Sequence, residues 1–339
     1  MSPGPRVGSA PTMRDVARVA GVSKALVSIV FRGAAGASEE TRQRVFAAAE
    51  EIGYRTNRSA SLLARTRTRQ LGVVPDLRNS FHAEIAEGAL RAADETGYQL
   101  VLSPTTREHG ESRAVETALE LRCEALLLIG SDLSERVLAE LAAELPVVLV
   151  GRDLTLPDVD VVRSDERQGM EEVVDHLVSL GHRRVAHIDG GSGPIGRARR
   201  AGFEQGVRRH RILGRSMVLP GGGTESDGRR AATTLLQRER LPTAVAAFND
   251  HCALGVIDVL TEAGMRVPDD VSVTGYDDSP LAGLHAINLT SVRQDALQLG
   301  SWAVRAAVER LDDGRAERRE LVLQPQLVAR GTSASVKLG

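Results

Sequence analysis

TMRDVARVAGVSKALVSIVFRG, residues 12–33, reads as two short helices hinged at a glycine. Thr12 followed by Asp15 marks a helix start, because the hydroxyl can cap and the carboxylate faces the positive end of the helix dipole. Val16, Ala17 and Ala20 share one apolar face. Gly21 permits a tight turn that a β-carbon would hinder. Ser23 can cap a second helix running from about Lys24 to Phe31, in which Val27 and Val30 point inward at i, i+3. A third helix is expected to begin at Ser38, with Glu39 and Glu40 in its first turn. Val45, Phe46, Ala49 and Ile52 form its expected buried stripe, and Gly53 can end it.

Outward from this module the pattern changes twice. Residues 54–70, YRTNRSASLLARTRTRQ, hold five arginines and no acid, with a short helix expected over 57–65. Such a segment cannot bury enough apolar surface to be stable alone, so it reads as a linker. From Leu71 onward short apolar strands appear: QLGVV, YQLVLS, EALLLIG, LPVVLVG, VDVVRSD, RRVAHIDG, TAVAAFND and DVSVTGYDD. Amphipathic helices lie between most of them, several ended by glycine (Gly97, Gly181, Gly264). Nearly continuous apolar strands alternating with helices imply parallel sheets covered on both faces. The expected organisation is a tail over 1–11, a helical domain over 12–56, a hinge over 57–70 and an α/β body over 71–339. The body divides into two doubly wound parallel-sheet subdomains, about 71–160 with 293–322 and about 161–290 with 323–335. The late segments are expected to cross back and finish both sheets, leaving a cleft.

Charge is distributed unevenly. The 339-residue chain has 43 Lys and Arg against 45 Asp and Glu. Residues 1–70 hold twelve of the bases and five of the acids, a net +7, so the remainder sums to −9. A basic head on an acidic body suggests a polyanion partner for the head. Cys123 and Cys252 offer neither a disulfide framework nor metal-ligand spacing, which fits a reducing cytoplasm and no metal. The first eleven residues carry no run resembling a signal peptide, and no stretch approaches a membrane span. The expectation is a cytoplasmic protein with no membrane partner and no cofactor.

The N-terminal module looks like a helix-turn-helix, whose second helix enters the DNA major groove. With Val27 and Val30 buried, Lys24, Ala25, Ser28 and Ile29 face outward. Ser23 and Ser28 can reach phosphates, and Lys24 a guanine edge. The segments ASEETRQRVFAAAEEIGYRTNRSA, IGYRTNRSASLLARTRTRQLGVVPDLRNSFHAEI, LGHRRVAHIDG, AFNDHCALGVIDVL, VPDDVSVTGYDDSPLA and LTSVRQD follow in unbroken order. In that order the chain resembles the lactose/galactose repressor family of bacterial transcriptional regulators over essentially its whole length. The resemblance implies a repressor that binds a pseudo-palindromic double-stranded DNA operator as a homodimer. It also implies a body like the periplasmic sugar-binding proteins, with a small effector, a sugar or related polar metabolite, in the cleft. By position it places Leu63 as a wedge in a minor-groove step, with Ala60 on the same hinge face and Asn57 and Arg58 near phosphates. Arg32 falls among the DNA-contacting positions.

In the body the resemblance places Arg199 (in RARRAGF), Asn249 (in FND), Asp277 (in GYDD) and Gln294 (in SVRQD) at the effector, with Asp76, Phe81 and Asp165 as further positions. Carboxylates, amides and a guanidinium fork can grip adjacent hydroxyls. Read from the residues alone, Arg199 could equally be a surface residue of an Arg-rich helix, and Asp277 a loop cap. Asp250 is expected to cap the helix that follows it.

Three departures from the family pattern matter. Ile29 stands where members carry an arginine that reads guanine; it cannot donate a hydrogen bond, though it can touch a thymine methyl. Phe31-Arg32 replaces a common Leu-Asn. In PGGGTESDG, Gly223 lies near where many members set an aromatic against the sugar ring, and the chain has only five Phe, three Tyr and one Trp. Two other readings compete with a regulator. One is a small-molecule binder with an altered or degenerate DNA module, for which Ile29 is the argument. The other is an enzyme on the α/β body, against which stand the lack of a Walker loop, a nucleophile elbow and a metal cluster; DGGSGPIG lacks the Rossmann spacing.

Overall fold

The computed structural model describes residues 11–31, 35–54 and 67–336. It separates into two compact units, Met1–Thr68 and Arg69–Gly339.

In the first unit, α1 (Met13–Ala20), α2 (Lys24–Phe31) and α3 (Glu39–Glu51) enclose a small core of Val16, Val27, Val30, Val45, Ala48 and Ala49. The Asp15 carboxylate accepts hydrogen bonds from the Thr12 backbone N–H at 3.0 Å and the Thr12 hydroxyl at 2.8 Å. Gly21 turns the chain in the left-handed region at φ 66°. Ser23 Oγ accepts from the Leu26 N–H at 3.2 Å, and Ser38 caps α3 through the Thr41 N–H. Phe46 departs from the expected stripe: it is 50% exposed, and Ala48 takes the inward place. Its ring instead meets Phe31 edge-on, centroids 5.7 Å apart, and Phe31 also touches Tyr54.

The second unit contains two parallel sheets. The larger comprises β1 (Gln70–Val74), β2 (Gln99–Leu102), β3 (Ala125–Ile129), β4 (Val147–Val150), β5 (Val159–Ser164) and β11 (Glu320–Leu323), ordered β11-β5-β4-β3-β1-β2. On one face pack α4 (Ser80–Thr96) and α11 (Ala296–Asp312); on the other, α5 (Glu111–Glu120) and α6 (Glu135–Glu144). Residues 125–129 and 147–150 are buried throughout, as strands covered on both faces must be. Gly88 and Gly300 let α4 and α11 approach so closely that a β-carbon on either would strike the other helix's backbone.

The smaller sheet is ordered β7-β6-β8-β9, from β6 (Val185–Ile188), β7 (Met217–Leu219), β8 (Ala244–Ala246) and β9 (Ser272–Thr274). It is covered by α7 (Glu166–Ser179) with α8 (Pro194–Arg209), and by α9 (Glu225–Leu236) with α10 (Asp250–Glu262). Gly97, Gly181 and Gly264 follow helix ends with φ of 72°, 92° and 76°, as expected of left-handed stops.

Two expectations about the lobes need correction. A division at 160/161 would cut β5, whose residues pair with β4 and β11 in the larger sheet. Only β11 of the late segments completes a sheet. β10 (Ser291–Arg293) and β12 (Gln326–Val328) form a separate antiparallel ribbon, joined to the region of β9 by the isolated bridges Thr274–Thr290 and Asp277–Arg293. No helix among the described residues is long and apolar enough to cross a membrane.

Candidate functional site

On α2, Lys24 and Ala25 are exposed, while Ser28 and Ile29 are half-buried. Ile29 leans toward the turn at Gly36, its Cγ2 3.9 Å from where a β-carbon there would sit. Ser23 already accepts a capping bond, but a hydroxyl acceptor keeps its own hydrogen to donate. Arg32, Asn57, Arg58, Ala60 and Leu63 lie outside the described residues.

The second unit holds a cavity of about 300 Å³ between its two lobes. Its wall on the smaller-sheet side is built around Arg199. On α8 the residues Gly196, Arg199, Gly202, Phe203 and Gly206 recur at helical spacing and form the buried face, and Gly202 and Gly206 let α7 close in. Arg199 is therefore 3% exposed, whereas its neighbour Arg200 is turned outward. Its Nε donates to Glu166 Oε2 at 2.6 Å, Nη1 to the Phe248 carbonyl at 2.6 Å and Nη2 to Asp277 Oδ1 at 3.2 Å. The guanidinium lies 3.7 Å from the Tyr276 ring centroid and 4.6 Å from that of Phe248. Gln294 Nε2 donates to the same Asp277 oxygen at 2.9 Å.

Asp277 is buried at φ 102°, a conformation that costs a non-glycine residue about 1–3 kcal/mol and that clusters at binding sites. Burial pushes its carboxyl up to about 7; Arg199 opposes this, and Asp250 and Glu166 add to it. Burial works against the Arg199 charge too, but Glu166 and Asp277 outweigh it and hold its pKa above the ordinary value. Burial thus sets the direction at Asp277, and the two carboxylates set it at Arg199.

On the opposite wall, Asp76 takes Arg78 in a fork, Nε–Oδ1 3.0 Å and Nη2–Oδ2 2.7 Å. The Asp76 backbone N–H donates to His82 Nδ1 at 3.0 Å. Nδ1 is thus the acceptor, so the ring proton resides on Nε2. Burial pushes the His82 imidazole down to about 4, keeping it neutral near pH 7.

The structure therefore gathers Asp76, Phe81, Arg199, Asn249, Asp277 and Gln294 around one cavity. Asp165 is not among them. It caps α7, accepting from the Gln168 N–H at 3.0 Å, and the next residue, Glu166, lines the cavity instead. Asn249 lines the cavity as expected and also takes the capping role expected of Asp250. Asn249 caps α10 through the Cys252 N–H and donates to the Gly223 carbonyl at 3.1 Å. Asp250 is buried and accepts from the Ser279 N–H and the Ser291 hydroxyl. The aromatic surface missing at Gly223 is supplied by Phe248, whose ring edge lies 3.5 Å from where a Gly223 β-carbon would be, and by Phe81. Glu166, Phe248 and His82 escaped the sequence reading, although Phe248 stands inside the quoted FND segment.

A helix-turn-helix unit and a two-lobed body around a polar cavity, joined in one chain, define a DNA-binding transcriptional regulator. Residues 12–57 match the family described as bacterial regulatory proteins, lacI family, and residues 174–333 match a periplasmic binding protein-like domain. The chain is 32% identical over 331 residues to the HTH-type transcriptional regulator DegA of Bacillus subtilis (strain 168), covering 95% of this chain and 98% of that protein. Among solved structures, a LacI transcriptional regulator from a Rhodococcus species is 42% identical with a TM-score of 0.76, covering 79% of this chain and 99% of that one. The lac repressor dimer bound to operator and the anti-inducer ONPF is 30% identical with a TM-score of 0.82, covering 96% and 100%. The protein belongs to the lacI family of bacterial regulatory proteins.

Proposed function

We propose that this regulator is a cytoplasmic repressor that binds a pseudo-palindromic operator as a homodimer. A small polar molecule, a sugar or related metabolite, occupies the cleft and sets operator affinity; it is bound and not turned over. The observation that carries this reading is the Arg199–Glu166–Asp277–Gln294 network at the wall of the cavity, in a chain that also presents Lys24 on an exposed helix. The lac repressor dimer, solved with operator and an anti-inducer, supports the same arrangement by likeness. A ligand can shift operator affinity only by its differential affinity for two states of the body. The site roles of Asp76, Phe81, Arg199, Asn249, Asp277 and Gln294 belong to this proposal, as do those of Ser23, Lys24, Ala25, Ser28 and Ile29. The roles of Arg32, Asn57, Arg58, Ala60 and Leu63 rest on resemblance alone.

Ile29 favours a second reading, a small-molecule binder with an altered DNA module. Selection of binding sites from random double-stranded DNA separates the two. The repressor reading expects inverted half-sites, and Lys24→Ala should relax base choice at one position per half-site by about 1–3 kcal/mol. A featureless consensus would favour the second reading.

A further inference from the structure

We infer that the cleft selects a polyol carrying no anionic group and excludes phosphorylated or carboxylated molecules of the same size. This rests on the reading of the cavity as an effector site. The cavity wall carries five carboxylates against two guanidiniums. Both guanidiniums have their charge committed to the protein's own carboxylates. Arg78 is forked onto Asp76, and Arg199 spends its three nitrogens on Glu166, the Phe248 carbonyl and Asp277. His82 adds an N–H but no charge, because its Nδ1 accepts from the backbone. Asp227 is met by Thr224 and by the exposed Arg230, which does not line the cavity. Asp132 remains as surplus negative charge at the wall.

The helix ends lead to the same result. Five helices, α4, α7, α8, α9 and α10, begin at the cavity. Backbone N–H groups at such ends are a ready anion site. Here a side-chain oxygen of the protein takes one N–H at each of four of these ends. Asn79 accepts from the Phe81 N–H, Asp165 from Gln168, Thr224 from Asp227 and Asn249 from Cys252. The fifth, α8, starts at Gly193 without a side-chain cap, and the Asp132 carboxylate from the opposite lobe stands there, Oδ1 2.7 Å from where a Gly193 β-carbon would be. What remains for a ligand is hydroxyl chemistry: carboxylate lone pairs, the Gln294 amide and the His82 N–H, flanked by Phe81 and Phe248.

The test is calorimetry on the full-length protein with matched sets of monosaccharides: each parent aldose, its 2-amino derivative, its 6-phosphate and its uronic acid, with inorganic phosphate alone as a further probe. Binding is expected only from uncharged or amine-bearing members. Each 6-phosphate or uronate should bind at least about tenfold more weakly than its parent, roughly the ratio set by one unfavourable surface charge contact. Asp132→Lys should narrow that gap, read as the ratio of 6-phosphate to parent affinity within the same variant. Asp132→Asn serves as the milder variant, and thermal melts of both confirm folding. A 6-phosphate or uronate binding wild type as tightly as its parent overturns the exclusion while leaving the effector site standing. Protein that binds operator but no member of any set overturns the polyol-effector reading and this inference with it.

Discussion

Two buried ion clusters sit in the same unit, built from the same groups in opposite proportions. In the larger sheet's lobe, Asp160 on β5 is 0% exposed and accepts from Arg310 Nε and Nη2, each at 2.9 Å, from Arg315 Nη2 at 2.6 Å and from the Arg319 N–H at 2.8 Å. There one carboxylate is held by two guanidiniums. In the cleft, one guanidinium is shared by two carboxylates. Burial opposes ionisation of Asp160, but Arg310 and Arg315 outweigh it and hold the carboxyl below its ordinary range. Burial raises Asp277, and Arg199 does not fully offset it. Glu309, which accepts from Arg315 Nε at 3.1 Å, balances the second guanidinium, so the first cluster is neutralised and closed, tying β5 to α11 and to the approach to β11. The second leaves a carboxylate short of partners beside a cavity. Incomplete neutralisation next to open space, and not burial of charge as such, separates a binding site from a scaffold brace.

The largest expected effect tests that division directly. Removing one partner of a buried ion pair costs about 3–5 kcal/mol, because the charge left behind is uncompensated. Asp160→Ala and Arg199→Ala should both lose stability of that order in urea unfolding. Only Arg199→Ala should also abolish the change in operator affinity on adding effector. If folded Asp160→Ala loses the effector response as completely, the two clusters are one functional network and the comparison breaks.

A smaller effect lies in pH. Asp160 has a folded pKa below its unfolded value, so its contribution is full above the unfolded range and lost as pH falls through the depressed value. Asp277 runs the other way. Its folded value of about 7 lies above an unfolded value of about 3.9, so folded protein keeps a proton that unfolded chain has released. Stability should therefore decline as pH rises across that window, by at most ~1.4 kcal/mol per pH unit from this group. Asp277→Asn should flatten the slope between about pH 5 and about pH 7. An unchanged slope in the variant would mean that Asp277 is as well neutralised as Asp160.

Much of this was legible in sequence where one residue decides one local geometry. Thr12 with Asp15, Gly21, Ser38 and the stops at Gly97, Gly181 and Gly264 did what their chemistry requires. Long apolar strands such as residues 125–129 were equally plain. β7 was missed because its apolar run is only Met217–Leu219, cut off by Ser216 and Pro220, whereas the equally short β8 sits in the longer run AVAAF. The ribbon of β10 and β12 was missed because its pairing partners lie more than thirty residues apart. Phe46 looked like core by type, yet an aromatic edge on Phe31 leaves half of it in solvent. Within the cleft, Asp165 versus Glu166 and Asn249 versus Asp250 turn on which of two adjacent residues caps a helix. Either can cap on composition, and the residue that does not cap is the one with buried partners elsewhere in the same lobe, Arg199 for Glu166 and Ser279 with Ser291 for Asp250. His82 has no local signature; its role comes from the backbone N–H of Asp76.

The smallest expected effect supplies the comparison's baseline. Arg136 and Glu140 on α6 form an ion pair of 2.8 Å, nearly as short as the Arg199–Glu166 contact, but the two side chains are 79% and 60% exposed. Water solvates each partner when the other is removed, so no uncompensated charge is left. The pair is also ordered with the cation N-terminal to the anion, the less favourable direction against the helix dipole. Replacing Arg136 by alanine brings a residue of slightly better helix propensity. Arg136→Ala should accordingly change unfolding free energy by less than about 0.5 kcal/mol, and added salt should move wild type and variant alike. A loss as large as that of Asp160→Ala would mean that distance alone sets the strength of ion pairs in this protein. The contrast between the closed cluster and the cleft would then lose its physical basis, since both contain contacts of similar length.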